Sequence, residues 1–220
     1  MAYATKKDLF PMLGGCSCGH VRYRLALPPL LVHCCHCASC QRHVGGAFAI
    51  NAIVESAAIT LLPSAFEPLV PGCKTNPEPL PAGLHPAFAR LTDGVPTTPA
   101  ETEGTGKPVL VTVPSGSGIG QTMASCPVCR TGLWNNYADA GPLVTYLRAT
   151  TLDRAWEVDP DVHIFTHSKR DFVSIADGKP QFEYYYDNRA AFYRPDVFER
   201  VAALKPKEEA YKVQLRAALS

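Results

Sequence analysis

Hydrophobic and polar positions along this chain fall into short runs, either alternating or wholly apolar, rather than into long helical stripes. Val21-Arg22-Tyr23-Arg24-Leu25 alternates as a half-buried strand does, and Phe48 to Val54 is apolar enough to be a buried one. Val109 to Val113 is rich in β-branched residues and bounded by Pro108 and Pro114, the pattern of a short strand. Leu143 to Leu147, His163 to Thr166 and Phe182 to Tyr186 also suit strands. Helical signals are fewer. Cys40 to Val44 can start a helix after a cysteine turn, Pro195 to Leu204 has proline in its first turn, and Lys207 to Leu219 is helix-compatible. The pattern predicts a mainly β protein with few short helices.

Eleven of the twenty prolines lie between Pro63 and Pro114, where missing backbone donors discourage regular structure. This segment reads as a surface insertion at about residues 63–114, either a passive loop or a lid over the active site. One domain over 1–220 is expected, with that insertion and a helical C-terminal extension at about 195–220. Hydrophobic residues at 46% and charged residues at 19% allow a sizeable core and argue against wholesale disorder. A net charge of +1 gives no general attraction to nucleic acid or anionic membrane. No apolar stretch reaches the roughly 18 residues of a membrane span, and Met1 to Pro11 lacks the apolar core of a secretory signal, so a cytoplasmic protein is expected.

Nine cysteines change the picture. An odd number in tight clusters, in a compartment that keeps thiols reduced, points to metal rather than to disulfides. Cys16 and Cys18 are two residues apart and share one face of an extended segment, and Cys126-Pro127-Val128-Cys129 is a knuckle that aims both sulfurs inward. Together they supply four thiolates, a closed set suited to a structural zinc ion. Cys35, Cys37 and Cys40 offer three more, leaving one position for water or a substrate thiol, as a catalytic zinc requires. Closure of that set by His33, Cys34 or His36, or a different pairing of the clusters, stays open at this stage. His36 lies between two ligand cysteines, so its side chain should point away from theirs, and it is left out of the ligand set.

Gly14-Gly15-Cys16-Ser17-Cys18-Gly19-His20-Val21-Arg22-Tyr23 resembles the opening of the family of glutathione-dependent formaldehyde-activating enzymes and centromere protein V. Cys35-His36-Cys37-Ala38-Ser39-Cys40-Gln41-Arg42, with Gly45 to Ala49 after it, resembles the family's second hallmark, and Cys126-Pro127-Val128-Cys129 with Leu133 its third. Thr151-Leu152-Asp153 and His163 to Lys169 resemble its later segments. The resemblance implies a β-tent fold of zinc-stapled antiparallel sheets. It implies a structural zinc at Cys16, Cys18, Cys126 and Cys129, a catalytic one at Cys35, Cys37 and Cys40, and formation or cleavage of carbon–sulfur bonds. Glutathione would be a co-substrate, and a small-molecule thiol or thiol adduct the partner. Four features depart from the pattern: Arg130 stands where the family usually has glycine, Val44 where Ser or Thr is common, Asp171-Phe172 replaces a frequent Pro-Trp, and the insertion is long. Arg130 suggests a different turn after the knuckle, and the elaborated rim suggests an electrophile larger or more apolar than formaldehyde.

Thiol-adduct chemistry also needs a proton carrier. His43, His163 and His167 are the candidates because histidine titrates nearest neutrality, with Tyr137 and Asp153 weaker ones, and Arg42 can bind a substrate carboxylate. The rival reading is a non-catalytic zinc module that binds protein or nucleic acid, against which the lack of a basic tail beyond Lys6 and Lys7 argues. A third is a thiol redox sensor built on Cys34 or Cys73. Oligomeric state is not legible here.

Overall fold

The computed structural model describes residues 2–6, 8–64, 106–115 and 118–219. Most of the insertion expected at 63–114, with Cys73, lies outside the described residues. Among the described residues ten strands build two sheets. The smaller joins β1 (Met12–Gly15), β2 (Arg22–Leu25) and β5 (Ile59–Leu62) in the order β1-β2-β5, all antiparallel. The larger contains β3 (Leu31–Cys35), β4 (Ala49–Glu55), β6 (Val109–Val113), β7 (Gln121–Ser125), β8 (Gly132–Tyr137), β9 (Val144–Arg148) and β10 (Val162–Ile164). Its order is β10-β3-β4-β9-β8-β7-β6. The protein is mainly β, as its pattern predicts, and every ladder is antiparallel except β10 with β3, which run parallel.

Among the described residues three α-helices accompany them: α1 (Ala2–Thr5), α2 (Ala38–Val44) and α3 (Pro195–Leu219). The two helical stretches expected near the C-terminus are one helix of 25 residues that runs through Pro206. Arg200 ties it to β4 through Glu55 and to the Pro28 carbonyl at 2.9 Å. The run Phe182 to Tyr186 is not a strand. Its backbone follows β10 through single hydrogen bonds, such as Phe182 N–H to the His163 carbonyl at 2.9 Å, without a continuing ladder. Tyr184 is exposed and Tyr186 buried. The residues after β10 also leave the extended form, because Phe165 takes a left-handed φ of 57° and starts a short 3-10 turn.

Two cores lie on the two faces of the larger sheet. One gathers Tyr23, Leu25, Val32, Val54, Leu133 and Leu147, facing the smaller sheet, and it includes Cys16 and Cys126. The other gathers Leu31, Ile53, Val162, Ile164, Tyr186 and Val197, and it includes Cys35 and Cys40. Strands β3 and β4 supply both cores from alternate residues, as a period of two requires of a strand buried on both faces. That alternation decides which cysteine meets which.

Candidate metal centres and active site

The four sulfurs of Cys16, Cys18, Cys126 and Cys129 come together within 4.8 Å of one another from segments more than a hundred residues apart. Cys16 Sγ lies 3.5 Å from Cys18 Sγ, and Cys18 Sγ 3.8 Å from Cys126 Sγ. These spacings suit a tetrahedron, in which zinc–sulfur bonds of about 2.3 Å place sulfurs about 3.8 Å apart. Backbone N–H groups point at the sulfurs: Val21 at Cys16 (3.2 Å), and Val128 and Cys129 at Cys126 (3.4 and 3.5 Å). Burial pushes the Cys126 thiol up to about 11, while Cys129, against the same effect of burial, is brought down to about 6 by hydrogen bonds from the Thr131 hydroxyl and backbone. The set can hold a metal ion. Arg130 closes the knuckle in the left-handed region (φ 63°), so the turn glycine would make is made by arginine, with Arg130 N–H bonded to the Cys126 carbonyl at 3.1 Å.

Cys35, Cys37 and Cys40 form a second set, again within 4.8 Å of one another. Cys35 ends β3 on the second-core face, Cys37 N-caps α2 by accepting the Cys40 N–H at 3.3 Å, and Cys40 follows on the first turn. Gly45, with φ 63°, ends the helix. Hydrogen bonds from Cys35 and then Cys40 lower the pKa of Cys37, with backbone N–H groups of Cys40 and Ser39 adding to the effect. The same sharing raises Cys35. One thiolate is thus stabilised by its neighbours, and the trio can hold a metal with one coordination position to spare.

Beside the trio runs a row of buried polar side chains that the sequence pattern did not single out. Asn51 Nδ2 points at Cys40 Sγ at 3.9 Å. Arg148 donates to Asn51 Oδ1, and its second amino group donates to Asn135 Oδ1 at 3.1 Å. Asn135 in turn donates to Gln121 Oε1 at 2.7 Å. All four are nearly inaccessible, with Arg148 only 5% exposed. Among the described residues no carboxylate is paired with Arg148; the Cys35 hydrogen bond and, less, the Arg148 charge lower the pKa of Cys40, but Cys37 and burial outweigh them and it is raised. The signal available in the sequence was the polar residue interrupting each apolar run, Asn51 in β4 and Arg148 at the end of β9.

Of the expected acid–base residues, His43 is half-buried and, with Arg148, lines a groove of ≈1080 Å³ that extends to Arg22, Cys129 and Asp153. Burial, then the Arg148 charge, lower its pKa, opposed by Cys37. Tyr137 is also near, since after burial the charges of Cys40 and Cys35 are what raise its pKa. Asp153 is engaged by Arg22. His167 is exposed and stacked on Tyr184, with ring centroids 4.5 Å apart. Arg42 is exposed, in a shallow depression shared with Arg170 and Phe172. His163 is buried and held by His36 and Asp177 rather than by the trio. His43 feels the charge of Cys37, but the groove it lines borders Cys16 and Cys129 of the quartet rather than the trio.

Residues 11–68 match the model of the family described as glutathione-dependent formaldehyde-activating enzyme. The resemblance read from the cysteine motifs therefore holds over a segment that carries Cys16, Cys18, the whole trio and Asn51. Comparison with curated proteins gave no match. Among solved structures, a crystal structure of a Rhodobacter sphaeroides protein aligns over 78% of this chain and 99% of that one, with 14% identity and a TM-score of 0.33. So slight a likeness carries no functional weight.

Proposed function

We propose, starting from the kinship of residues 11–68 with glutathione-dependent formaldehyde-activating enzymes, that this protein is a zinc-dependent lyase-type enzyme that makes or breaks carbon–sulfur bonds in adducts between a thiol such as glutathione and an aldehyde or other electrophile. The observation that carries the reading is the trio Cys35, Cys37 and Cys40, three sulfur donors converging where buried Asn51 links Cys40 to Arg148. The donor set fits zinc, because three sulfurs converge, one of them, Cys37, favoured as thiolate by its neighbours and by the N–H groups of Cys40 and Ser39, and sulfur suits that ion. Bound there, zinc would supply stabilisation of a substrate thiolate near neutral pH.

The residues of the chain do the rest. Asn51 and Arg148 fix the electrostatics behind Cys40, where a positive charge in a poorly hydrated place offsets the negative charge gathered by thiolates. His43, kept neutral by burial and by Arg148, takes the thiol proton and returns it to the carbonyl-derived oxygen in the direction of addition. Tyr137, whose pKa is raised by burial and then by the charges of Cys40 and Cys35, offers a hydroxyl donor near the trio. Cys16, Cys18, Cys126 and Cys129 would hold a second, structural zinc that staples the β1–β2 hairpin to the β7–β8 turn. No described helix is long and apolar enough to cross a membrane. A cytoplasmic site, where thiols stay reduced, suits the eight described cysteines, none of which is in a disulfide.

The test is native mass spectrometry of metal-replete protein beside Cys37→Ser, with NMR detection of adduct formation from glutathione and a panel of aldehydes. Loss of one zinc together with loss of adduct turnover, the fold being retained, is the expected result. Full turnover by a Cys37→Ser protein would overturn the reading.

A further inference from the structure

A third set of donors lies on the opposite face of β3 from the trio. Because strand residues alternate, Leu31, His33 and Cys35 face the second core while Val32 and Cys34 face the other way, and His36 continues the Cys34 side just past the strand. Strand β10 runs parallel to β3 with His163 in register with Cys34, and its neighbours Val162 and Ile164 belong to the second core. His163 therefore projects beside Cys34 and His36. The three donor atoms lie within 4.8 Å of one another, with His36 Nε2 3.5 Å from Cys34 Sγ and 3.1 Å from His163 Nδ1. All three residues are buried, His36 completely.

We propose that Cys34, His36 and His163 form a further metal site, taking zinc through one thiolate and two imidazole nitrogens, separate from the quartet and the trio. Four observations support it. The spacings are those of a tetrahedral site, for which zinc–ligand bonds of about 2.0 to 2.3 Å put two nitrogens about 3.4 Å apart and a nitrogen and sulfur about 3.6 Å apart. His163 Nε2 is bonded to Asp177 Oδ2 at 2.8 Å, which places the proton on Nε2 and leaves the Nδ1 lone pair aimed into the cluster. A carboxylate behind a ligating imidazole in this manner orients the ring and strengthens it as a donor. His36 is held rigidly by its backbone: its N–H bonds the Ile164 carbonyl at 3.0 Å, and its carbonyl accepts from Gln41 Nε2 and the Ser168 hydroxyl at 2.6 and 3.1 Å.

The fourth observation is an accounting one. His36 Nδ1 is buried with no hydrogen-bond partner among the described residues. Without a metal, His36 Nε2–H can donate to the His163 Nδ1 lone pair across 3.1 Å; moving that proton to the unpartnered Nδ1 frees Nε2 to ligate a cation beside His163 Nδ1 and Cys34 Sγ. In sequence terms, the run His33-Cys34-Cys35-His36-Cys37 splits into two interleaved sets, one per face of the strand. Three protein donors leave a position for an exogenous ligand, but this site is enclosed, which suits a role in fixing β10 to β3.

The proposal is tested on the intact, zinc-replete protein, with zinc as the only added ligand. Native mass spectrometry is expected to show three zinc ions on the wild type, two on Cys34→Ala, two on Cys37→Ser and one on the double variant, matching the three donor groups. X-ray absorption at the zinc edge of the wild type is expected to show imidazole outer-shell scattering, which neither all-cysteine set produces, so the result does not depend on the variants folding. Two zincs on the wild type with an absorption spectrum free of imidazole would overturn the proposal while leaving the trio intact. So would Cys34→Ala retaining every zinc that the wild type holds. Failure of the trio reading is seen separately, as a Cys37→Ser protein that loses no zinc.

Discussion

Arg148 and Asn51 stand opposite each other in the β4–β9 register, and the guanidinium of one donates to the amide oxygen of the other, turning the Asn51 amide nitrogen toward Cys40 Sγ. A buried cation thus reaches the thiol cluster through a neutral relay rather than by contact. Replacing Arg148 with Met leaves Asn51 Oδ1 and Asn135 Oδ1 without donors, each unsatisfied acceptor costing about 1–3 kcal/mol. Arg148→Met is expected to lower the urea midpoint accordingly and to weaken zinc retention at the trio in competition with a chelator. An unchanged midpoint with unchanged retention would show the row to be dispensable.

Arg130 occupies a left-handed conformation that glycine adopts freely. A side chain there costs about 1–2 kcal/mol, partly offset by the greater freedom of glycine in the unfolded chain. Arg130→Gly is therefore expected to stabilise the protein by about 0.5–1 kcal/mol in denaturant titrations, with the quartet undisturbed. A destabilised variant would mean that the Arg130 side chain makes a contribution larger than its backbone strain.

Cys126 is fully buried at the meeting point of two distant segments. A structural zinc site is worth about 10–16 kcal/mol in apparent binding energy, above the stability of a typical domain. Cys126→Ser, or prolonged chelation of the wild type, should unfold the chain and abolish its near-ultraviolet circular dichroism. A soluble Cys126→Ser protein with native dichroism would remove the staple.

His43 and His167 test which of the expected histidines carries the proton. His43→Ala is expected to reduce adduct turnover by about 10²–10⁴-fold, whereas His167→Ala, at an exposed stack on Tyr184, should leave it close to wild type. Because burial and then Arg148 depress the His43 pKa, its neutral, proton-accepting form persists below the ordinary histidine value of about 6.5. The acid limb of kcat/KM is therefore expected below that pH. A limb above it, or an active His43→Ala protein, would assign the proton to another group, with Tyr137 next in line.

Gly14 lies against the ring of Tyr23, where an added Cβ would come within 2.5 Å of the ring, and Tyr23 has no exposed surface. The phenol is anchored by Thr151 Oγ1 at 2.6 Å and cannot swing away cheaply. Gly14→Ala is expected to destabilise by about 1–3 kcal/mol, the usual result of overpacking a filled core. Thermal unfolding at wild-type temperature would show that the β1–β2 hairpin can shift.

How far the sequence reaches differs from element to element. Val109–Val113 is a strand as its β-branched run predicts, and the apolar run before Val54 is a strand as well, ending at Glu55. The strand Leu31–Cys35 is not legible in the sequence, because its last residue opens the cysteine cluster, yet a chain buried on both faces needs no alternation to be a strand. Phe182 to Tyr186 has the composition of a strand without a continuous partner to pair with. The one long helix at the C-terminus was legible only as two halves, since Pro206 usually interrupts helices.

The sequence by itself determined the chemistry: which side chains can bind metal, their local spacing, and the short apolar runs that make strands, all set by neighbours within a few residues. Only the tertiary structure decided the company these residues keep. Arg148, Asn135 and Gln121 reach Asn51 and Cys40 by sheet register, and His163 joins Cys34 and His36 rather than the trio because β10 pairs in parallel with β3. Register is a long-range property: a shift of one residue turns every side chain of a strand to the other face, so spacing along the chain cannot say which of two interleaved sets a distant histidine will meet.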